Sequence, residues 1–180
     1  MSTEASDEAL MERFSEGDRQ ALEVLFERHA RPVHGFLARM VRDEALADDL
    51  LQSTFLSVVR SADRYQRGAP VMPWLLTIAG NAARDALRRK RMRGETPPPE
   101  DGEHPEPAVD PGVGDPVARK HIEAAFEQLP PQQREAVLMH KVHGLSFEQI
   151  AAALDITPTA ARIRAHRGYE KLRELLEGLR

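Results

Sequence analysis

The chain has 180 residues, 41% hydrophobic and 30% charged, with a formal net charge of −4 and no cysteine. The missing thiols exclude a disulfide framework and a thiolate zinc site, and one Trp, two Tyr and six Phe provide few anchors for one large core, so small helical units in a reducing cytosol fit best. No apolar run approaches the roughly 18 residues of a membrane span, and Met1 to Glu16 is acidic where a secretion signal would be basic and then apolar, so a cytoplasmic location is expected.

The charge is unevenly spread. Residues 1–93 hold 15 Lys and Arg against 14 Asp and Glu, 94–115 hold none against 7, and 116–180 hold 10 against 8. The acidity therefore sits in the middle, between a basic run at Arg84, Arg88, Arg89, Lys90, Arg91 and Arg93 and a second at Arg162, Arg164 and Arg167. Clusters of this kind suit nucleic acid. Residues 94–115 also carry six of the thirteen prolines and little aliphatic content, too little to offset the entropy of ordering. They are expected to form a flexible acidic linker between two all-α domains, 1–93 and 116–180, since neither flank shows the period-two alternation of strands.

In the first domain, Asp18 can cap a helix with Leu22, Leu25, Phe26, His29 and Val33 inward; Phe36, Leu37 and Met40 continue the face, and Pro32 should bend it. Asp43 can cap a second helix with Leu46, Leu50, Phe55 and Val59 inward. Arg67-Gly68-Ala69-Pro70 breaks that helix. Pro73 then suits the first turn of a third, in which Trp74, Leu75, Ile78, Ala79 and Ala82 form a core stripe and Thr77, Asn81, Arg84 and Arg88 an outward one.

In the second domain, Asp115-Pro116 can open a helix that Pro130-Pro131 ends, and a second helix should run to about His143. Gly144 suits a left-handed cap, and Ser146-Phe147-Glu148-Gln149 matches a capping box that starts a short helix ending near Leu154. Thr157 can cap, and Pro158 open, a last helix reaching about Glu177. A short helix with Ile150, Ala151 and Leu154 inward, a turn plugged by Ile156 and a capped basic helix make a helix-turn-helix pattern, in which Ala151 and Ala152 allow a close crossing. On the last helix Thr159, Arg162, Ile163 and His166 share an outward face available to base edges, Arg164 and Arg167 flank it toward phosphates, and Ala161, Ala165, Gly168 and Leu172 face inward.

Leu129-Pro130-Pro131-Gln132-Gln133-Arg134-Glu135 followed by Gly144-Leu145-Ser146-Phe147-Glu148-Gln149-Ile150-Ala151 resembles region 4 of sigma factors, which reads the upstream (−35) promoter element. Asp48-Asp49-Leu50-Leu51-Gln52-Ser53-Thr54-Phe55-Leu56 and Trp74-Leu75-Leu76-Thr77-Ile78-Ala79-Gly80-Asn81 resemble region 2 of the extracytoplasmic-function (ECF) sigma factors of the sigma-70 family. The resemblance implies promoter-specific transcription initiation by core RNA polymerase, with the polymerase β′ clamp helices and β subunit, promoter DNA and an anti-sigma factor as partners. It places Asp48, Asp49, Leu50, Gln52 and Phe55 against the clamp helices, and Asn81, Arg84 and Arg88, beside a Gly68-to-Pro73 loop, at the downstream (−10) element. The last helix departs from the family pattern at Thr159-Ala160-Ala161, Ile163 and Ala165, which lightens its core face and alters its reading face.

No phosphate-binding Gly-x-x-x-x-Gly-Lys run, His-Glu-x-x-His or nucleophile elbow occurs. Neither an enzyme activity, a cofactor nor a small-molecule substrate is expected. His140 and His143 have no carboxylate or thiol beside them in metal-ligand spacing. The competing reading is a helix-turn-helix repressor or activator that is not a polymerase subunit. It would need a sensing pocket or phosphoacceptor aspartate in residues 44–93, and neither is legible there.

Overall fold

A computed structural model describes residues 5–94 and 116–177. The described residues are helical without strands and fall in two compact units, Met1–Thr96 and Pro97–Arg180. The expected linker, with Asp115 as a cap, lies outside the described residues. No described helix is long and apolar enough to cross a membrane.

The first unit contains α1 (Asp7–Ser15), α2 (Arg19–Val41), α3 (Glu44–Arg60), a 3-10 turn (Ala62–Arg64) and α4 (Val71–Met92). Helix α2 begins where the Asp18 carboxylate accepts from the backbone N–H of Gln20 and Ala21. It runs unbroken across Pro32. At its end Arg42 adopts a left-handed conformation (φ 57°), and Asp43 caps α3 by accepting from Leu46 N–H. The Lys90 ammonium, from the end of α4, donates to the same Asp43 carboxylate at 2.7 Å. One side chain thus starts a helix and ties it to another.

The core centres on Val33, Phe36, Leu37 and Met40 of α2, all fully buried, with Ala47, Leu50, Thr54, Phe55 and Val58 of α3 and Val71, Leu75, Leu76, Ala79, Ala83 and Ala86 of α4. Three expectations are corrected. Val58, not Val59, faces inward on α3, because buried positions 47, 50, 54 and 58 follow the helical period and Thr54 can join them by donating its hydroxyl to Leu50 C=O. On α4 the buried arc is rotated from the Trp74, Ile78 and Ala82 line, which is only half-buried, because the helix packs on both α2 and α3. Phe26 is exposed.

Helix α1 was not anticipated in the acidic N-terminus. Ser6 caps it, Leu10 and Met11 bury fully, and Asp7 reaches Arg28 and His29 of α2, each at 2.8 Å. Residues read as part of an acidic run form an amphipathic helix tied to α2 through Asp7.

In the second unit, α5 (Pro116–Glu127) is followed by α6 (Pro131–Val137), which widens into a π turn over Leu138–Val142; then come α7 (Phe147–Leu154) and α8 (Pro158–Glu177). Arg134 is 5% exposed and donates to the carbonyls of Phe126, Glu127 and Leu129. An arginine in a core is tolerable only when its donors are used, and here they complete the C-terminal end of α5.

Candidate nucleic-acid interface

The geometry of the α7–turn–α8 unit follows from its caps. Gly144 takes φ 68°, Ser146 Oγ accepts from Gln149 N–H, and the Gln149 side-chain oxygen accepts from Ser146 N–H. Thr157 Oγ1 accepts from Ala160 N–H, so α8 starts at Pro158. Between them Asp155 holds a left-handed φ of 53°, and Ile156 N–H donates to Ala151 C=O. Asp tolerates that conformation better than bulkier residues, so the turn forms without glycine.

Ile150, Ala151 and Ala153 of α7 are buried, whereas Ala152 is exposed. Ala153, rather than Ala152, is therefore turned inward on α7, and Leu154 is half-buried. On α8, Ala161, Ala165 and Gly168 are buried and Leu172 is half-buried. The light core face has a steric purpose: a Cβ at Gly168 would stand 2.5 Å from Val137 Cγ2 and 3.3 Å from Gln133 O. Glycine at 168 lets α8 lie close against α6.

The opposite face carries exposed Thr159, Arg162, Ile163, His166 and Arg167, with Arg164 half-buried. Arg162 lies over the Phe147 ring, 5.4 Å from its centroid, and His166 Nε2 is 3.3 Å from Glu170. Glu170 is the i,i+4 neighbour that helical spacing offers His166, whereas Phe147 reaches Arg162 only through the crossing of α7 and α8. His140 donates from Nδ1 to Leu145 C=O and stacks on Phe147. No group of three or more potential metal ligands occurs among the described residues.

In the first unit, Asn81 and Arg88 are exposed and Arg84 half-buried along one face of α4. Arg84 donates to Asn81 Oδ1, and Arg88 to Asp85 at 3.0 Å. The Gly68-to-Pro73 loop is shorter than expected: α4 begins at Val71, so only Gly68, Ala69 and Pro70 precede it. Tyr65 donates its hydroxyl to Ala69 C=O and meets Trp74 edge-on at 5.2 Å, which fixes the entry to α4.

On α3, Asp48, Asp49 and Gln52 are exposed, while Leu50 and Phe55 belong to the core at 5% and 7% exposure. Asp48 also faces His34 of α2 at 3.1 Å. Gln52 and Phe55 line a groove of about 610 Å³ with Leu22, Phe26, Leu56 and Val59, edged by Glu23 and Glu27. Phe26, Leu56 and Val59 are 43%, 56% and 47% exposed. The sequence reading missed these three as surface residues; the available signal was apolar side chains on the flank of α3 adjoining Gln52, beyond what one buried stripe requires.

Family models for "Sigma-70 region 2" and "Sigma-70, region 4" match residues 25–93 and 119–172. The RNA polymerase sigma factor CarQ of Myxococcus xanthus is 58% identical over 166 residues, 92% of this chain and 95% of the relative. The ECF RNA polymerase sigma factor SigM of Mycobacterium tuberculosis (strain H37Rv) is 34% identical over 177 residues, 96% of this chain and 86% of the relative. Among solved structures, CnrH in complex with the cytosolic domain of CnrY superposes with a TM-score of 0.69 at 22% identity, covering 96% of this chain and 97% of that one. RpoE in complex with the anti-sigma factor NepR from Bartonella quintana gives 0.70 at 24%, covering 86% and 96%. Both share the fold. With both regions matched in order and near full-length identity to curated members, the chain belongs to the sigma-70 family of RNA polymerase sigma factors, in its ECF group.

Proposed function

We propose that this ECF sigma factor binds core RNA polymerase in the cytoplasm and directs it to specific promoters, and that α8 reads the upstream element. The observation carrying this reading is the capped α7–turn–α8 unit, whose outward face exposes Thr159, Arg162, Ile163 and His166 together. A helix so presented fits the major groove, where base edges are distinguishable. Arg164 and Arg167 contribute phosphate contacts. Asn81, Arg84 and Arg88 of α4 serve the downstream element.

Asp48, Asp49 and Gln52 of α3 form the polar part of the polymerase-docking surface, and Leu50 and Phe55 support it from within. The adjacent apolar groove extends that surface. An anti-sigma factor is a further proposed partner, by analogy with RpoE of Bartonella quintana, solved with NepR.

Transcription in vitro with purified core polymerase and genome-wide mapping of start sites tests the function. Initiation at a defined promoter set that depends on this chain is the expected result. Sequence-specific operator binding without initiation would instead make it a repressor or activator.

A further inference from the structure

The side chain proposed to read bases does not stand alone. Four groups follow one another across the helix-turn-helix. The carbonyl of Leu145 accepts from His140 Nδ1 at 2.8 Å. The His140 ring lies 4.4 Å from Phe147, nearly parallel at 29°. The Arg162 guanidinium lies over the Phe147 ring at 5.4 Å. These groups come from the π turn, the loop after it, the start of α7 and the second turn of α8. Phe147 is half-buried, with both the His140 ring and the Arg162 cation against it. Beside it, hydrogen bonds from its own backbone N–H and from Ser146 hold the Glu148 carboxyl below its usual range, and the Arg162 charge adds to that effect.

We infer that Phe147 is a positioning residue for promoter discrimination: beside His140, it holds the Arg162 guanidinium over its ring on the outward side of α8 before DNA arrives. An exposed arginine loses side-chain rotamer entropy when fixed at a base. A ring beneath the guanidinium lowers that cost and leaves the N–H donors free, because stacking uses the face of the fork and base recognition its edge. The inference rests on the proposed base-reading role of Arg162.

Two measurements on the full chain test it. The first is promoter-library transcription with core polymerase for Phe147→Leu, Phe147→Tyr, Arg162→Ala and the Phe147→Leu/Arg162→Ala double variant. At the promoter position where Arg162→Ala flattens base preference, Phe147→Leu should reduce discrimination about two- to fivefold, the worth of an exposed cation–π contact. Phe147→Tyr should retain it, and the double variant should discriminate no worse there than Arg162→Ala alone. A Phe147→Leu loss spread evenly over all promoters, or added in full to that of Arg162→Ala, overturns the inference. The second is NMR of the free wild-type chain, in which ring current from Phe147 should displace the Arg162 side-chain resonances. Resonances at unstructured values overturn the inference even if Phe147→Leu proves too unstable to assay. If Arg162→Ala leaves every base preference unchanged while the resonances remain displaced, the base-reading role has failed and the stack itself stands.

Discussion

Arg162 and Arg167 are both exposed on α8, yet they should fail differently when removed. Arg162→Ala should cost about 1–3 kcal/mol at the best promoter and relax preference at one position. Arg167→Ala should weaken all sequences alike and reduce the salt slope by about one, since one fewer counterion is released. Promoter-library transcription at two salt concentrations separates the two. Arg134 has another role, because its guanidinium holds three carbonyls at the end of α5. Arg134→Met should fray α5 and cost about 2–4 kcal/mol, as charged hydrogen bonds are lost and carbonyls orphaned. Gly168→Ala sets two effects against each other. Helix propensity favours alanine by about 1 kcal/mol, but the new methyl would meet Val137 Cγ2 at 2.5 Å. Val137 is fully buried and β-branched, so it cannot swing aside, and overpacking costs about 1–3 kcal/mol. Net destabilisation of the second unit is expected in hydrogen exchange of the full chain, with amides of α2 and α3 unaffected.

Among the elements, α3 should respond to acid through a contact with another helix. A hydrogen bond from the Lys90 ammonium, joined by backbone N–H groups of the cap, holds the Asp43 carboxyl below its usual range. A carboxyl depressed by folding stabilises the protein fully above its unfolded value, about 3.9, and the contribution disappears as pH falls through the lower folded value. Asparagine can still cap the helix but does not titrate. Asp43→Asn should therefore be less stable than wild type at pH 7, and the gap in urea midpoint should close below about pH 3.9. A gap of constant size down to pH 2 would count against the Lys90 contact as its source. In α7 the capping box is the comparable device: Ser146→Ala should cost about 1 kcal/mol, and because α7 carries Phe147, upstream-promoter activity should weaken with it.

For the whole molecule, residues 94–115 are the expected linker between the two units. Its 22 residues could span roughly 70 Å at about 3.1 Å each. Replacing Glu95 to Val113 by a neutral linker of equal length should preserve initiation, and deleting about 15 residues should abolish it; unimpaired transcription after the deletion would show that no bridging of two promoter elements is required. Much of this protein could be read from its residues alone. Capping chemistry is local, so Asp18, Asp43, Gly144, Ser146 with Gln149, and Thr157 announced where helices begin and end, and the helical period then placed Arg162 and His166 outward on α8. The all-α class, the helix-turn-helix and the likeness to sigma regions 2 and 4 followed from that order. Tertiary structure decided what depends on neighbours distant in sequence. Phe26, Leu56 and Val59 are as apolar as the core, and only the packing of α2 on α3 leaves them exposed around a groove. Arg134 looks like a surface cation until α5 turns its carbonyls toward it, and Phe147 comes beneath Arg162 only through the crossing of α7 and α8. Periodicity fixes which residues share a face; which face is covered, and by what, is set by contacts between elements far apart in the chain.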